Sequence, residues 1–354
     1  MPNLETLLEE LLLARGPGGQ EDEVRTICQR ELTRLCDEVM VDRAGNVCGV
    51  IRAAGNADPA NAIRVMAHLD EIAMIVRKVR SDGTLEVVAL GGVEPICFGV
   101  CPVEILGDVD CLPGVLSYGS MHNSGGTQSG RDVLSGNVQW QDVHVVTRCS
   151  PEELKAHGVR PGSRVVLARH WRQPFRVRDC VAAHFLDDRA PMAAVLLAAQ
   201  QIGERRASLA QDAWFVFTTL EEESNAGAMY AASRLPGDTT LAVEVGPVLE
   251  EYGTQLSADP IINVGDQKGY YTRSVVDALI AASRRAGYEP QVALLVDFAS
   301  DASAVLSQGT VARAGCLAIP TENTHGFEMV LYEGVRACAA TLAEFLLQPP
   351  GEPA

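Results

Sequence analysis

The 354-residue chain contains no apolar run approaching the roughly 18 residues needed to cross a bilayer; stretches such as 192–199 are far shorter. It has no surplus of positive charge: 29 Lys and Arg face 46 Asp and Glu, for a formal net charge of −17. A duplex or an anionic membrane surface repels such a chain, so neither nucleic acid nor membrane is expected as a partner. The start, MPNLETLLEELLLARG, lacks the basic segment of a secretory signal and is acidic instead. No C-x-x-C pair occurs among the cysteines at 28, 36, 48, 97, 101, 111, 149, 180, 316 and 338. They are expected to be reduced, buried small hydrophobes in a cytoplasmic protein. Cys97 and Cys101 have the spacing to share a metal, but without a further thiolate nearby a structural role is preferred. Repeats and low-complexity tracts are also missing. With 47% hydrophobic and 21% charged residues the composition is that of a globular protein. The length exceeds the ~250–300 residues at which single cores stop growing, so two domains are expected.

The first 70 or so residues read helix, helix, strand, strand. Leu4, Leu7, Leu8, Leu11 and Leu12 mark one helical face, and Val24, Ile27, Cys28, Leu32 and Leu35 a second. Residues 61–69 read as a buried strand. From 73 to 172 helical periodicity nearly disappears, and short β-type runs alternate with Gly, Asp and Ser turns. The exception is Ser150-Pro151-Glu152-Glu153, a capping box with Pro in the first turn. The Gly-rich stretch 125–130 lacks the GK[ST] ending of a phosphate loop and reads as a flexible loop. From 173 onward strands over 214–219, 241–245, 261–264, 292–296 and 314–319 alternate with helices over 191–202, 226–233, 273–285, 302–307 and 332–347. This is an α/β pattern, a mostly parallel sheet sandwiched by helices. The expected division is one domain from 1–72 and 173–354, interrupted by an inserted all-β domain at 73–172.

Ligands of open α/β sheets bind beyond the carboxyl ends of the strands. The polar residues at those ends are His68, Asp70, Asp187, Asp188, Glu221, Glu222, Glu244, Asp301 and His325. Singly, each has a structural explanation. A strand-end histidine is usually hydrogen-bonded, Asp-Asp-Arg before a helix caps it, and Glu221-Glu222-Glu223 reads as a solvated turn. Glu244, inside an apolar strand, is harder to dismiss, because a buried carboxylate needs a partner. Together, two imidazoles and several carboxylates converging on one crevice suit Zn²⁺, Co²⁺ or Mn²⁺. A spare carboxylate beside them can act as general base. That is the donor set of a two-metal hydrolase.

HLDEIAMIV, FLDDRA, TLEEESNAGA, AVEVGP and ENTHGFE, in this order, resemble the tetrahedral aminopeptidases, as does GVRPGSRVVLA near the end of the insertion. That family comprises glutamyl, leucyl, lysyl and deblocking aminopeptidases, some formerly labelled endoglucanases. The resemblance implies a phosphorylase/peptidase-like catalytic domain carrying a barrel-like dimerisation domain. It implies a metal-dependent aminopeptidase acting on peptides with a free N-terminus, with two divalent ions per subunit, zinc first and cobalt or manganese as alternatives. Asp187 would bridge both ions. His68 and Glu244 would complete one site, and Glu222 and His325 the other. Glu221 would be the general base that takes a proton from the metal-held water, and Asp70 would hold the far nitrogen of His68. A homo-oligomer is implied, a dimer formed through the insertion and from it a tetrahedral dodecamer.

The chain departs from the family pattern at Glu244, usually Asp, at Thr324-His325-Gly326-Phe327, often I-H-S-P, and at Ala73, usually Gly. Asp301 matches an acidic family position without a definite role. His184 competes as a ligand but reads as structural. His122, His144, His157 and His170 in the insertion read as surface or structural residues. Two other readings stay open: a di-metal deacylase or carboxypeptidase on the same core, and a non-catalytic assembly protein. A barrel-like insertion favours the aminopeptidase, and a four-stranded sheet with two helices the deacylase.

Overall fold

The computed structural model of the protein describes residues 3–55, 57–122, 130 and 136–350. The Gly-rich loop at 125–130 lies outside them except for Gly130. The chain opens with helix Leu4–Leu13, whose N-cap Asn3 accepts a hydrogen bond from the Thr6 amide at 2.8 Å. Its five expected leucines are buried. Helix Asp22–Leu35 follows and buries Val24, Ile27, Cys28 and Leu32.

The central sheet runs in the order Glu38–Val41, Val47–Ile51, Ala213–Thr218, Ile63–His68, Thr239–Pro247, Arg313–Thr321, Ile261–Asn263, Gln291–Ala293. The four strands from Ala213–Thr218 to Arg313–Thr321 are mutually parallel, and their outer neighbours join them antiparallel. Buried almost throughout, the parallel strands are predominantly apolar, with Arg64 and Glu244 as buried charged exceptions. Helices Leu186–Glu204, Tyr332–Leu347 and Arg273–Arg285 pack together, as do Ala226–Ala232 and Asp301–Ser307. No helix among the described residues is long and apolar enough to cross a membrane.

Two elements differ from expectation. The apolar run 292–296 pairs only over Gln291–Ala293; Val292, Leu294 and Val296 are exposed while Ala293 and Leu295 are buried. Alternation at a sheet edge, rather than full burial, explains this run. The helix expected at 191–202 begins earlier, at Leu186, with non-helical backbone at Asp187 and Asp188 and a cis peptide between them.

Strands Ala73–Val79, Leu85–Leu90, His144–Val146, Cys111–Ser117, Cys101–Leu106 and Arg164–Leu167 close into an antiparallel barrel. It has its own core, which includes Met74, Val87, Leu116 and Cys101, with Cys97 packed against it. The capping box forms: Ser150 Oγ accepts from the Glu153 amide at 3.2 Å, and Glu153 Oε2 from the Ser150 amide at 2.7 Å. A small sheet of Phe175–Val177, Cys180–Ala183 and Glu328–Leu331 was not anticipated.

Where the chain enters and leaves the barrel, three charged side chains are completely buried. Arg172 donates to both oxygens of Glu71 at 2.7 Å, and Arg189 donates to Glu71 Oε2 at 2.5 Å. Arg172 also donates to the carbonyls of Leu12 and Ala14, and Arg189 to that of Leu69. The cluster therefore locks the segment after His68 to the segment after Asp187. Replacing Glu71 with Gln leaves two buried guanidiniums without their counter-ion. The expected loss is about 3–5 kcal/mol in urea unfolding, and a loss under about 1 kcal/mol contradicts a structural role for this cluster.

Candidate metal centre

His68 is the last residue of its strand and lies level with Thr218 on the neighbouring parallel strand. Beyond Thr218, Leu220 turns the chain through a left-handed conformation (φ 56°) into the short helix Glu221–Ser224. Register pairs Ala242 with Met66, which brings Glu244, two residues on, alongside His68. Asp187 sits at the irregular start of helix Leu186–Glu204, and His325 (φ 62°) in the loop after strand Arg313–Thr321.

The five expected ligands meet. His68 Nε2 lies 2.9 Å from Asp187 Oδ1 and 3.9 Å from Glu244 Oε2. His325 Nε2 lies 3.5 Å from Asp187 Oδ2 and 3.8 Å from Glu222 Oε2. Two overlapping groups of potential ligand atoms result, each within 4.8 Å of one another: His68, Asp187, Asp188 and Glu244, and Asp187, Glu222 and His325. Asp187 belongs to both, with one oxygen toward each imidazole. Glu221 joins neither; its Oε2 lies 4.0 Å from His68 Nε2.

The far His68 nitrogen does meet Asp70, through the backbone rather than the carboxylate. Nδ1 meets the backbone carbonyl of Asp70 at 3.0 Å, whereas the Asp70 carboxylate is 3.8 Å away. That carboxylate accepts instead from the amides of Glu221 at 2.9 Å and Glu222 at 3.0 Å. It caps the short helix that carries both glutamates, because the first amides of a helix have no partner within it.

The side chains of Glu222, Glu244, Asp187 and Glu221 expose only 5, 6, 12 and 12% of their surface. Burial favours the neutral acid and like charges add to the effect. Glu222 is pushed up to about 7, and Glu221, Glu244 and Asp188 are raised as well. Asp187 goes the other way: burial raises it, but hydrogen bonds and charge from both imidazoles outweigh burial and hold it below the usual range. Burial opposes charge on the imidazoles, yet the carboxylates prevail. Asp188, Asp187 and Glu221 raise His68, and Glu222 and Asp187 raise His325 to about 11.

The donor set fits divalent cations. Among the described residues, Asp188 Oδ1 and Glu222 Oε1 are buried without a hydrogen-bond partner. An orphaned buried acceptor costs on the order of 1–3 kcal/mol, which a cation would remove, and imidazole with carboxylate suits zinc, cobalt and manganese. A cavity of about 370 Å³ opens on the cluster, lined also by Asn225, Gln267, Lys268, Asp297 and Phe298. A second, of about 380 Å³, shares Asp187 and His325 and is walled by Val245, Pro247, Leu249 and Tyr252.

A family model for the M42 glutamyl aminopeptidases matches residues 45–340. The chain belongs to that family. It is 27% identical over 270 residues to the lysyl aminopeptidase of Pyrococcus furiosus, covering 73% of this chain and 72% of that protein. The TET aminopeptidase from the marine sediment archaeon Thaumarchaeota archaeon SCGC AB-539-E09 superposes with a TM-score of 0.87 at 21% identity, over 98% of this chain and 96% of that one. The TET1 peptidase of Pyrococcus horikoshii superposes with a TM-score of 0.84 at 20% identity, over 98% and 100%. The two superpositions carry the fold, a helix-flanked sheet with a closed barrel.

In this M42 chain several residues at the centre had no assigned role. Glu328, the last letter of ENTHGFE, accepts from the amides of Asp187 at 3.0 Å and His325 at 2.9 Å and so joins the two ligand loops. Asp188 accepts from the His68 amide at 2.8 Å. The barrel contributes too: His325 Nδ1 meets the Gly92 carbonyl at 2.6 Å, and a Cβ at Gly91 (φ 90°) would lie 3.2 Å from Glu222. Asn46 accepts from the Thr219 amide at 2.9 Å and donates to the Gly227 carbonyl at 3.0 Å. Only a glycine fits at 227, where a Cβ would lie 2.4 Å from the Thr219 carbonyl. Most of these contacts run through the backbone, which residue type does not reveal; in the sequence Asp188 in FLDDRA, Gly227 in TLEEESNAGA and Glu328 in ENTHGFE lie within the quoted motifs.

Asp301 is buried and accepts from Thr218 Oγ1 at 2.5 Å and Asn225 Nδ2 at 3.1 Å. His144 lies on a barrel strand, His157 bonds Asp110 at 2.6 Å, and His122 and His170 are exposed. Among the described residues none of these four joins the ligand groups. His184 is buried between Phe185 and Phe327 with ring centroids at 5.8 and 5.2 Å. Burial, with help from Arg172, lowers it to about 4. Unfolded, an imidazole titrates near ~6.5. The unfolded chain therefore binds this proton more readily, and stability falls as pH drops from 6.5 toward 4, by roughly 3 kcal/mol. His184→Leu is expected to flatten the dependence of urea-unfolding stability on pH across that window; an unchanged slope contradicts the assignment.

Proposed function

We propose that the protein is a metal-dependent aminopeptidase that removes N-terminal residues from peptides. The observation that carries this reading is Asp187, whose two oxygens face His68 at 2.9 Å and His325 at 3.5 Å. His68, Glu244 and Asp187 would hold one divalent cation, and Asp187, Glu222 and His325 a second, with zinc as the first choice and cobalt or manganese as alternatives. When bound, the cations supply Lewis-acid polarisation of the scissile carbonyl and acidify water. Glu221 serves as general base: its Oε2 accepts a proton from the attacking water and returns it to the leaving amine. The cluster's carboxylates receive the substrate's free ammonium terminus, which restricts cleavage to the first residue. Family membership supports this activity, and the closed barrel favours it over a deacylase, whose insertion would be a four-stranded sheet with helices.

The barrel domain, at 73–172, is proposed to pair subunits, with a tetrahedral dodecamer as the larger assembly. Support comes from the Pyrococcus horikoshii TET1 peptidase, described as assembling into a tetrahedron or a large octahedral shell.

Glu221→Gln keeps the side chain's size and leaves the five ligand side chains untouched. Its turnover of aminoacyl anilides is expected to fall by about 100-fold or more, with metal content unchanged by elemental analysis. Chelation of the wild-type protein is expected to abolish activity, and zinc, cobalt or manganese to restore it. Wild-type turnover by Glu221→Gln contradicts the assigned base.

A further inference from the structure

We propose that Asn225 is a positioning residue for Glu221, an inference that rests on the role given to Glu221 above. Asn225 lies within TLEEESNAGA but is not among the residues to which the family resemblance gives a role, so the inference goes beyond that resemblance. It lies between the helices Glu221–Ser224 and Ala226–Ala232 in a left-handed conformation (φ 53°) and is 4% exposed. Asn adopts this backbone more readily than most residues.

Three contacts occupy the Asn225 amide. Its Nδ2 donates to Glu221 Oε1 at 2.7 Å and to Asp301 Oδ1 at 3.1 Å, and its Oδ1 accepts from Lys268 Nζ at 2.5 Å. The orientation is fixed by charge: reversed, the amide oxygen would face two carboxylates and the NH₂ group an ammonium. Asp301 is itself held by Thr218 Oγ1 at 2.5 Å, on the strand that leads into Glu221. The buried strand end therefore anchors Asp301, and Asp301 and Lys268 anchor the Asn225 amide.

The consequence for Glu221 is directional. A free glutamate carboxylate rotates about its last torsion, and either oxygen can face the reacting centre. Here Oε1 is committed to Asn225, and Oε2 is the oxygen toward His68, at 4.0 Å. A general base works only when its lone pair is already aimed at the proton it takes, so fixing that torsion acts on the chemical step. Lys268 acts through the same amide from the cavity wall.

Two variants test this. Asn225→Gly keeps the left-handed backbone and deletes the amide; Asn225→Asp keeps the size and replaces the donor with a carboxylate. Each is made alone and in the Glu221→Gln background, with kcat, KM and metal content measured on the zinc-loaded full-length protein. Alone, each is expected to lower kcat by about 10–100-fold, with KM within about twofold and metal content unchanged. In the Glu221→Gln background the same changes are expected to cost less than about twofold, because the group they position is gone. Wild-type kcat in Asn225→Gly overturns the proposal, as does an equal loss in both backgrounds, the mark of a general structural role. Where Asn225→Gly does not fold, Asn225→Asp carries the same comparison. A Glu221→Gln enzyme with full turnover removes the base assignment itself; an inactive one beside a fully active Asn225→Gly removes only the role of Asn225.

Discussion

Carboxylates outnumber cationic groups in the crevice at the carboxyl ends of the parallel strands, and the architecture around that crevice follows from the imbalance. His68 and His325 face Asp187, Asp188, Glu221, Glu222 and Glu244, with Glu328 close behind. Packing like charges where water is scarce is unfavourable unless backbone amides, side-chain donors or cations answer them. Amides answer several: those of Glu221 and Glu222 go to Asp70, that of His68 to Asp188, and those of Asp187 and His325 to Glu328. What the amides leave over, Asp188 Oδ1 and Glu222 Oε1 among the described residues, lies within or beside the two groups of potential ligand atoms. The unmet demand of the fold coincides with the place where a cation has its donors.

The scaffold supplies this arrangement from distant parts of the chain. Parallel register sets His68, Thr218 and Glu244 level with one another on neighbouring strands, with Glu244 three residues short of its strand's end, and an irregular helix start delivers Asp187. The buried Glu71–Arg172–Arg189 cluster ties the two barrel junctions to these segments, and the barrel loop reaches back through the Gly92 carbonyl to orient His325. The barrel is thus part of the site's support as well as a separate cored unit. The catalytic proposal depends on that rigidity, since a base or a ligand set held loosely loses its directional advantage.

Much of this was legible in the sequence, for identifiable reasons. Largely apolar runs mark the parallel strands, and a charged residue inside one of them, Glu244, stands out because burial makes it expensive. The strand-end residues followed from where the apolar runs stop. What stayed hidden acts through the backbone or through geometry at the margins. Glu328 and Asn46 look like ordinary polar residues until the amides they hold are seen, and Asp70 meets His68 through its carbonyl while its carboxylate caps a helix. The segment at 292–296 is as apolar as a core strand, yet it lies at a sheet edge where every second side chain faces water. Asn225 is unremarkable by type, and its significance lies in the two carboxylates and one ammonium around it.

The central claim is that this crevice holds paired cations with Asp187 common to both. The most direct measurement is anomalous diffraction at the zinc edge from crystals grown with zinc. The expected result is two peaks per chain, one contacted by His68 and Glu244, the other by Glu222 and His325, with Asp187 at each. A map with no peak among these residues, or with the metal bound elsewhere, contradicts the account.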